Sequence, residues 1–325
     1  MNTVGAARLG GRAAAIPRLS ASMVVTAPIA GAAAAATAST SLYNYRVLMV
    51  RRLAAGGSFD NALVFPGGIE EASDSQDAKQ WQQQHTNSHK VCAIRETFEE
   101  TGLLLTTPPA TATQGIVRRQ AEAFGALCTQ LRVRPLDVRF MGRWITPRAM
   151  AQRFDTRFFM YNISDSDEFL QSQLDSGRLQ ESEVASMDWV SPDAVLRANA
   201  QSGVVLFPPQ FLILSEIARY KRWQDLLSRY RDNSSEAESA AAAIEPVLCR
   251  RSDGHVVALL PGDHAYPAMD NHCLHAPAIR DADLFDDHHA TVDPAGIMRR
   301  IVMKPASNPG GGFYAARLIA AQARL

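Results

Sequence analysis

At 325 residues, with 46% hydrophobic and 20% charged residues, the chain has the make-up of a soluble globular protein of one large or two average domains. Its 33 basic and 33 acidic residues cancel, which excludes a bulk electrostatic pull toward nucleic acid or an acidic membrane. Any anionic ligand must therefore be met by local groups or by metal ions.

Four scattered cysteines (Cys92, Cys128, Cys249 and Cys273), with no CxxC pair, point to free thiols in a reducing compartment. The alanine-rich run 21–36 is broken by proline and glycine, and it falls short of the ~20 strongly apolar residues of a membrane span. No acidic residue precedes Asp60, while Arg8, Arg12 and Arg18 stand among Ala, Gly and Ser. That composition reads either as a mitochondrial transit peptide or as a flexible lead-in over residues 1–19.

A first strand is expected over Ala21–Ile29 and a second over Tyr43–Arg52, both rich in β-branched residues. Leu63, Val64 and Phe65 form a third, which Pro66, Gly67 and Gly68 stop as a turn. A polar, glutamine-rich passage over 74–90 leads into a helix over Val91–Thr101. Further strands are expected over Arg139–Ile145, Thr156–Ile163 and Glu183–Val190. Ser191-Pro192-Asp193 then starts a helix through Ala200, and a longer one spans Gln210–Tyr230. Residues 232–243, rich in Ser, Glu and Ala, read as a linker. A C-terminal extension over 244–325 follows, with Val256–Leu260 as a strand. The catalytic unit is expected over 20–231.

The stretch Arg95–Leu103, RETFEETGL, carries the chemistry. At 100° per residue Val91, Ile94 and Phe98 fall on a face that buries, and Glu96, Glu99 and Glu100 cluster opposite within about 100°. Arg95 lies one turn before Glu99, where an i,i+4 ion pair can hold that carboxylate. Gly102 ends the helix. Like charges so close repel, so the face is either simply solvated or an oxygen-rich site for a hard cation such as Mg2+ or Mn2+.

With the upstream Phe65-Pro66-Gly67-Gly68, these residues resemble the Nudix box, G-x5-E-x7-R-E-U-x-E-E-x-G-U, where U is bulky and apolar. Gly68 takes the leading glycine, Arg95-Glu96 the RE pair, Glu99-Glu100 the paired glutamates and Gly102-Leu103 the close. Three departures stand out. Asp74 replaces a glutamate, Thr97 replaces an apolar residue, and 20 residues rather than seven separate Asp74 from Arg95. The extra length lies before the helix, where a loop tolerates it.

Such an insertion resembles the peroxisomal coenzyme A diphosphatase branch of the Nudix family. So do Leu48–Arg52, Trp144–Pro147, Arg153–Phe159, Phe207–Gln210 and Leu260–Asp263. The resemblance implies an α+β fold, the Nudix α/β/α sandwich with a mixed sheet, an insertion inside the box and a C-terminal extension. It also implies hydrolysis of CoA or acyl-CoA to 3′,5′-ADP and (acyl-)4′-phosphopantetheine. Glu96 and Glu100 then ligate Mg2+ or Mn2+, with Glu99 sharing them or activating water, and the Gly67-Gly68 backbone places these ligands. Ala323-Arg324-Leu325, a conservative variant of Ser-Lys-Leu, fits a peroxisomal import receptor.

Other candidates stay open. Glu181, Glu183, Asp155 or Asp188 could serve as a general base, and Arg51 and Arg52 could meet substrate phosphates. Thr156–Phe159 is either a substrate wall or core. His264, His272, Cys273, His275, His288 and His289 crowd the C-terminal region in no zinc spacing. Cys92 reads as a packing residue. Rival functions are ADP-ribose or other nucleotide-diphosphate hydrolysis, and a catalytically silent ligand-binding module.

Overall fold

The computed structural model describes residues 15–29, 43–52, 62–81, 86–109, 123–163, 184–231, 235–250, 255–263, 266, 300–305 and 313–317. Its centre is a mixed sheet, seven-stranded among the described residues, built from β1 (Arg18–Pro28), β2 (Tyr45–Arg52), β3 (Leu63–Val64), β4 (Gly67–Ile69), β7 (Arg139–Ile145), β8 (Phe154–Asn162) and β9 (Val184–Val190). β1 is the spine. One edge runs parallel to β8 from Arg18 to Thr26, while the first half pairs with β4 and the last residues with β2, both antiparallel. β2 also carries β3 and β9. Long apolar runs suit this position: Met23 to Val25 and Val47 to Val50 are fully or almost fully buried, as strands covered on both faces require.

One face of the sheet is covered by α2 (Ser88–Thr101) and α3 (Ala123–Leu131), with Ala21, Met23, Val25, Leu48 and Phe159 meeting Val91, Ile94, Phe98, Phe124 and Leu127. The other face is covered by α5 (Pro208–Ile217) and α6 (Trp223–Arg229), with α4 (Pro192–Ala200) beside them. A second, antiparallel sheet, β10 (Val247–Arg250), β11 (Val256–Leu259), β12 (Arg300–Pro305) and β13 (Phe313–Arg317), follows in chain order. Its Leu248, Val256, Ala258, Ile301 and Met303 join the same buried cluster as Val24, Tyr45 and Phe158. The C-terminal extension thus shares a core with the central sheet.

Several expectations are corrected. Gly67 and Gly68 are not merely a turn: they pair with Ser22 and Ala21 as strand β4. The polar passage after them contains a helix, α1 (Ala72–Gln80). The expected helix 210–230 breaks after Ile217. Tyr45 Oη donates to the carbonyls of Ile217 and Tyr220, and Tyr43 Oη to that of Ala218. Side chains at the start of β2 and just before it thereby take carbonyls that a continuing helix would have used. The linker holds α7 (Ser235–Ala240), whose Glu238 is buried. Helix α3 and the short β5 (Thr106–Thr107) and β6 (Arg134–Pro135) pair were not among the expected elements. Among the described residues no helix is long and apolar enough to cross a membrane.

Candidate active site

The acidic helix α2 is well defined at both ends. The Asn87 side chain caps it by accepting the Lys90 N–H at 3.0 Å. Gly102 closes it with φ 78°, its N–H reaching the Phe98 carbonyl at 2.8 Å. Val91, Ile94 and Phe98 are fully buried against the sheet. Thr97, polar where the box prefers a bulky apolar residue, is also fully buried. Its hydroxyl donates to the Ala93 carbonyl at 2.7 Å, so no polar atom is stranded.

Arg95 is the hub of the site. Its guanidinium is 2% exposed and grips Asp74 with two bonds, Nε to Oδ1 at 2.8 Å and Nη2 to Oδ2 at 2.9 Å. Nη1 donates to Glu96 Oε1 at 2.9 Å and to Glu99 Oε1 at 3.2 Å, while Nη2 also reaches the Ile69 carbonyl at 3.1 Å. One planar fork therefore ties α1, β4 and two turns of α2 together. Burial alone would favour losing the charge, but the Asp74 hydrogen bonds and the Glu96 and Asp74 carboxylates raise the pKa and keep it cationic.

Asp74 is wholly buried, and its Oδ2 also accepts the Glu71 N–H at 2.9 Å across the first turn of α1. The 20-residue spacing is absorbed because α1 presents Asp74 from the side, so the insertion keeps the acid beside the arginine.

Strand β4 supplies the opposing wall. The Gly67 N–H donates to Glu100 Oε2 at 3.1 Å. A Cβ on Gly67 would meet the Ala21 carbonyl oxygen at 2.4 Å, and one on Gly68 would meet the Glu96 carboxylate at 2.4 Å. Glycine is needed at both positions because backbone and carboxylate approach so closely. Glu96 is 16% exposed, and burial pushes its carboxyl up to about 7; Arg95 pulls it down, and Glu99 and Asp74 push it up again. Asp77, one turn after Asp74, is pushed up to about 6, first by burial and then by Asp74.

The arrangement fits a hard dication. The donors are carboxylate oxygens, and burial raises one of them, Glu96, toward neutrality, where a cation would relieve the crowding. Among the described residues no three His, Cys, Asp or Glu side chains are already gathered as a closed ligand set. Arg95 Nη1 instead bridges Glu96 and Glu99.

The remaining candidates scatter. Arg51 lies 4.0 Å from Asp188 across β2 and β9, with side-chain exposures of 29% and 46%. Arg52 sits at the last position of β2, after a register shift. Asp155 is clasped by Arg143 at 2.8 and 2.6 Å. Burial raises its pKa, but the Arg143 bonds outweigh that and hold it low, which makes it a poor proton acceptor. Phe158 and Phe159 are core residues on opposite faces of the sheet, and Thr156 shares a hydrogen bond with Ser20 at 2.7 Å. Burial, with nearby Asp74, pushes the Cys92 thiol well up, which suits packing rather than attack. Cys128 and Cys249 are buried as well. Glu181, Glu183, the histidine group with Cys273, and Ala323–Leu325 lie outside the described residues.

Sequence reasoning left Asp74 without a role and missed Asp77, Glu70, His89 and Glu238. Glu70 and His89 pair at 2.5 Å beside the start of α2. A signal existed only for Asp74, which stands at the box position of an acid.

Comparison with known proteins agrees with this geometry. The family model described as the NUDT19 Nudix domain matches residues 84–219. An acyl-coenzyme A diphosphatase NUDT19 from Xenopus laevis is 25% identical over 287 residues, spanning 69% of this chain and 72% of that protein. A putative nudix hydrolase 7 from Caenorhabditis elegans is 24% identical over 267 residues, 77% of each chain. Among solved structures, a NUDIX hydrolase from Alicyclobacillus acidocaldarius superposes with a TM-score of 0.53 at 22% identity, over 66% of this chain and 96% of that one, which bears on the fold alone. Over residues 84–219 the chain is thus similar to the NUDT19 Nudix domain, and its fold is that of the Nudix hydrolases.

Proposed function

We propose that this protein cleaves the phosphoanhydride of CoA or acyl-CoA, releasing 3′,5′-ADP and (acyl-)4′-phosphopantetheine. The observation that carries the reading is the Arg95–Asp74 clamp within an inserted box, which holds Glu96 and Glu99 while Gly68 and Gly67 approach Glu96 and Glu100. The names of its relatives support the CoA-type substrate. Glu96, Glu99 and Glu100 would hold Mg2+ or Mn2+. When bound, the dication would neutralise adjacent phosphate charges and act as a Lewis acid.

The protein's own groups do the positioning. Arg95 neutralises part of the mutual repulsion of Glu96 and Glu99 and fixes their direction. Gly67 N–H holds one carboxylate oxygen of Glu100 against β4. A half-buried set of carboxylates held by Arg95 and Gly67 would orient water and phosphate with little reorganisation, and such preorganisation dominates displacements at phosphorus. Glu99 would share the dication or help to activate the attacking water.

The test resolves products from CoA, acyl-CoAs, ADP-ribose and NADH with Mg2+ or Mn2+. Release of 3′,5′-ADP from the CoA compounds is expected, and preferential release of AMP from ADP-ribose would overturn the substrate class. Glu100→Gln should abolish turnover and leave the fold intact. Where Ala323-Arg324-Leu325 ends the mature chain, it supports peroxisomal import. Fusing it to a reporter tests that, with mitochondrial import as the contrary result.

A further inference from the structure

The helix that carries the site is tied at its N-terminus to a segment far away in the chain. Glu238, on α7 and 6% exposed, accepts from Asn87 Nδ2 at 2.9 Å, and Asn87 is the N-cap of α2. The other oxygen of Glu238 lies 3.5 Å from Arg157 Nε on β8. Arg157 stands opposite Ala21 on β1, and Ala21 stands opposite Gly68 on β4. A single row across three strands thus runs from the Glu238 partner to the glycine that faces Glu96.

The charges around Arg157 show why Glu238 matters. Two guanidinium nitrogens of Arg157, Nε and Nη1, are buried with no hydrogen-bond partner among the described residues. Glu70 and Asp155 also feel its charge, but Asp155 is clasped by Arg143 and Glu70 is paired with His89. Without Glu238 the buried cation would draw on Glu70, which is only two residues from Gly68. The N-cap would lose its second anchor at the same time. Glu96 is nine residues along α2 from Asn87, about 13 Å of rigid helix, so a tilt at the cap is carried to the carboxylates.

We propose that Glu238 is a positioning residue: through Asn87 and Arg157 it sets the placement of α2 against β4, and so the fit of Glu96 to its cation. The proposal rests on the metal-dependent reading above. The segment leading into the C-terminal sheet is therefore part of the catalytic architecture.

The test uses the full chain with Glu238→Ala, Asn87→Ser and the double variant. Serine keeps an N-cap acceptor for α2 but lacks the amide donor to Glu238, so Asn87→Ser carries the test if Glu238→Ala does not fold. Mn2+ affinity is titrated without substrate, and kcat and KM are measured separately. Each single variant should weaken Mn2+ binding on the order of tenfold and lower kcat similarly, with KM within about twofold. The double variant should be no worse than the weaker single. A lower melting temperature with Mn2+ affinity and kcat unchanged would overturn the proposal. Mn2+ binding is read without substrate, so an error in the assigned substrate shows only in the wild-type turnover.

Discussion

Two arginine–aspartate pairs in this protein have the same chemistry and opposite weight. Arg95 and Asp74 meet in two short bonds at 2% and 0% exposure; Arg51 and Asp188 face each other at 4.0 Å in water. In the first, burial strips solvent from both charges, so each depends on the other. In the second, water screens the attraction and either partner does without it. The residue types alone do not separate a clamp from a surface pair. Depth does.

Breaking the buried pair should have the largest effect. Asp74→Ala strips Arg95 of its two-bond partner and leaves Nε of a buried guanidinium unpaired, and a loss of about 3–5 kcal/mol of stability is expected, measured by chemical denaturation. Asp74→Glu restores the residue usual in the box but forces an extra methylene into a sealed space. It should cost about 1–3 kcal/mol, and no loss at all would mean that the clamp is looser than described.

Gly68→Ala moves the damage from stability to chemistry. Its new methyl group must push the Glu96 carboxylate aside, which as the free end of a side chain can move. Turnover should fall roughly 10- to 100-fold with little change in melting temperature. Unchanged activity would show that Glu96 is not needed in its present place.

The pH dependence sharpens the same contrast. Glu96 is raised in the fold from the usual 4.5 to about 7, so the fold favours its protonated form. That contribution is fully present below the unfolded value and is lost as pH rises through about 7, where the metal-free fold must bury another charge. A cation needs the carboxylate, so Mn2+ affinity should climb as pH rises toward 7 and level off above it. A flat profile between pH 5 and 8 in a direct titration would contradict the crowding described for Glu96. The smallest effect is expected at the exposed pair, where Arg51→Ala should change stability by less than about 1 kcal/mol. If it also lowers CoA affinity while leaving kcat intact, Arg51 meets substrate.

Much of this was legible in the chain itself. Val91, Ile94 and Phe98 recur at helical spacing, Gly102 stops the helix, and the strands Arg139–Ile145 and Val256–Leu259 follow from their β-branched and aromatic content. The glutamates on one face of α2, with Arg95 a turn before Glu99, are set by geometry that depends only on local hydrogen bonding. Other features were out of reach because long-range contacts decided them. Gly67-Gly68 is strand and not merely a turn because Ala21 and Ser22 offer a partner edge, and the helix after Pro208 stops because Tyr43 and Tyr45 take its carbonyls.

Local periodicity and the box determined the Nudix resemblance, the acidic helix and its polarity. The tertiary structure alone decided that Asp74 closes on Arg95 across the insertion, that Asp155 is already committed to Arg143, and that Glu238 reaches the cap of α2. The reason is physical: a helix face repeats every few residues and leaves its mark in sequence. The value of a charge depends on how much water its neighbours exclude, and a neighbour such as Asn87 to Glu238 lies 151 positions away in the chain.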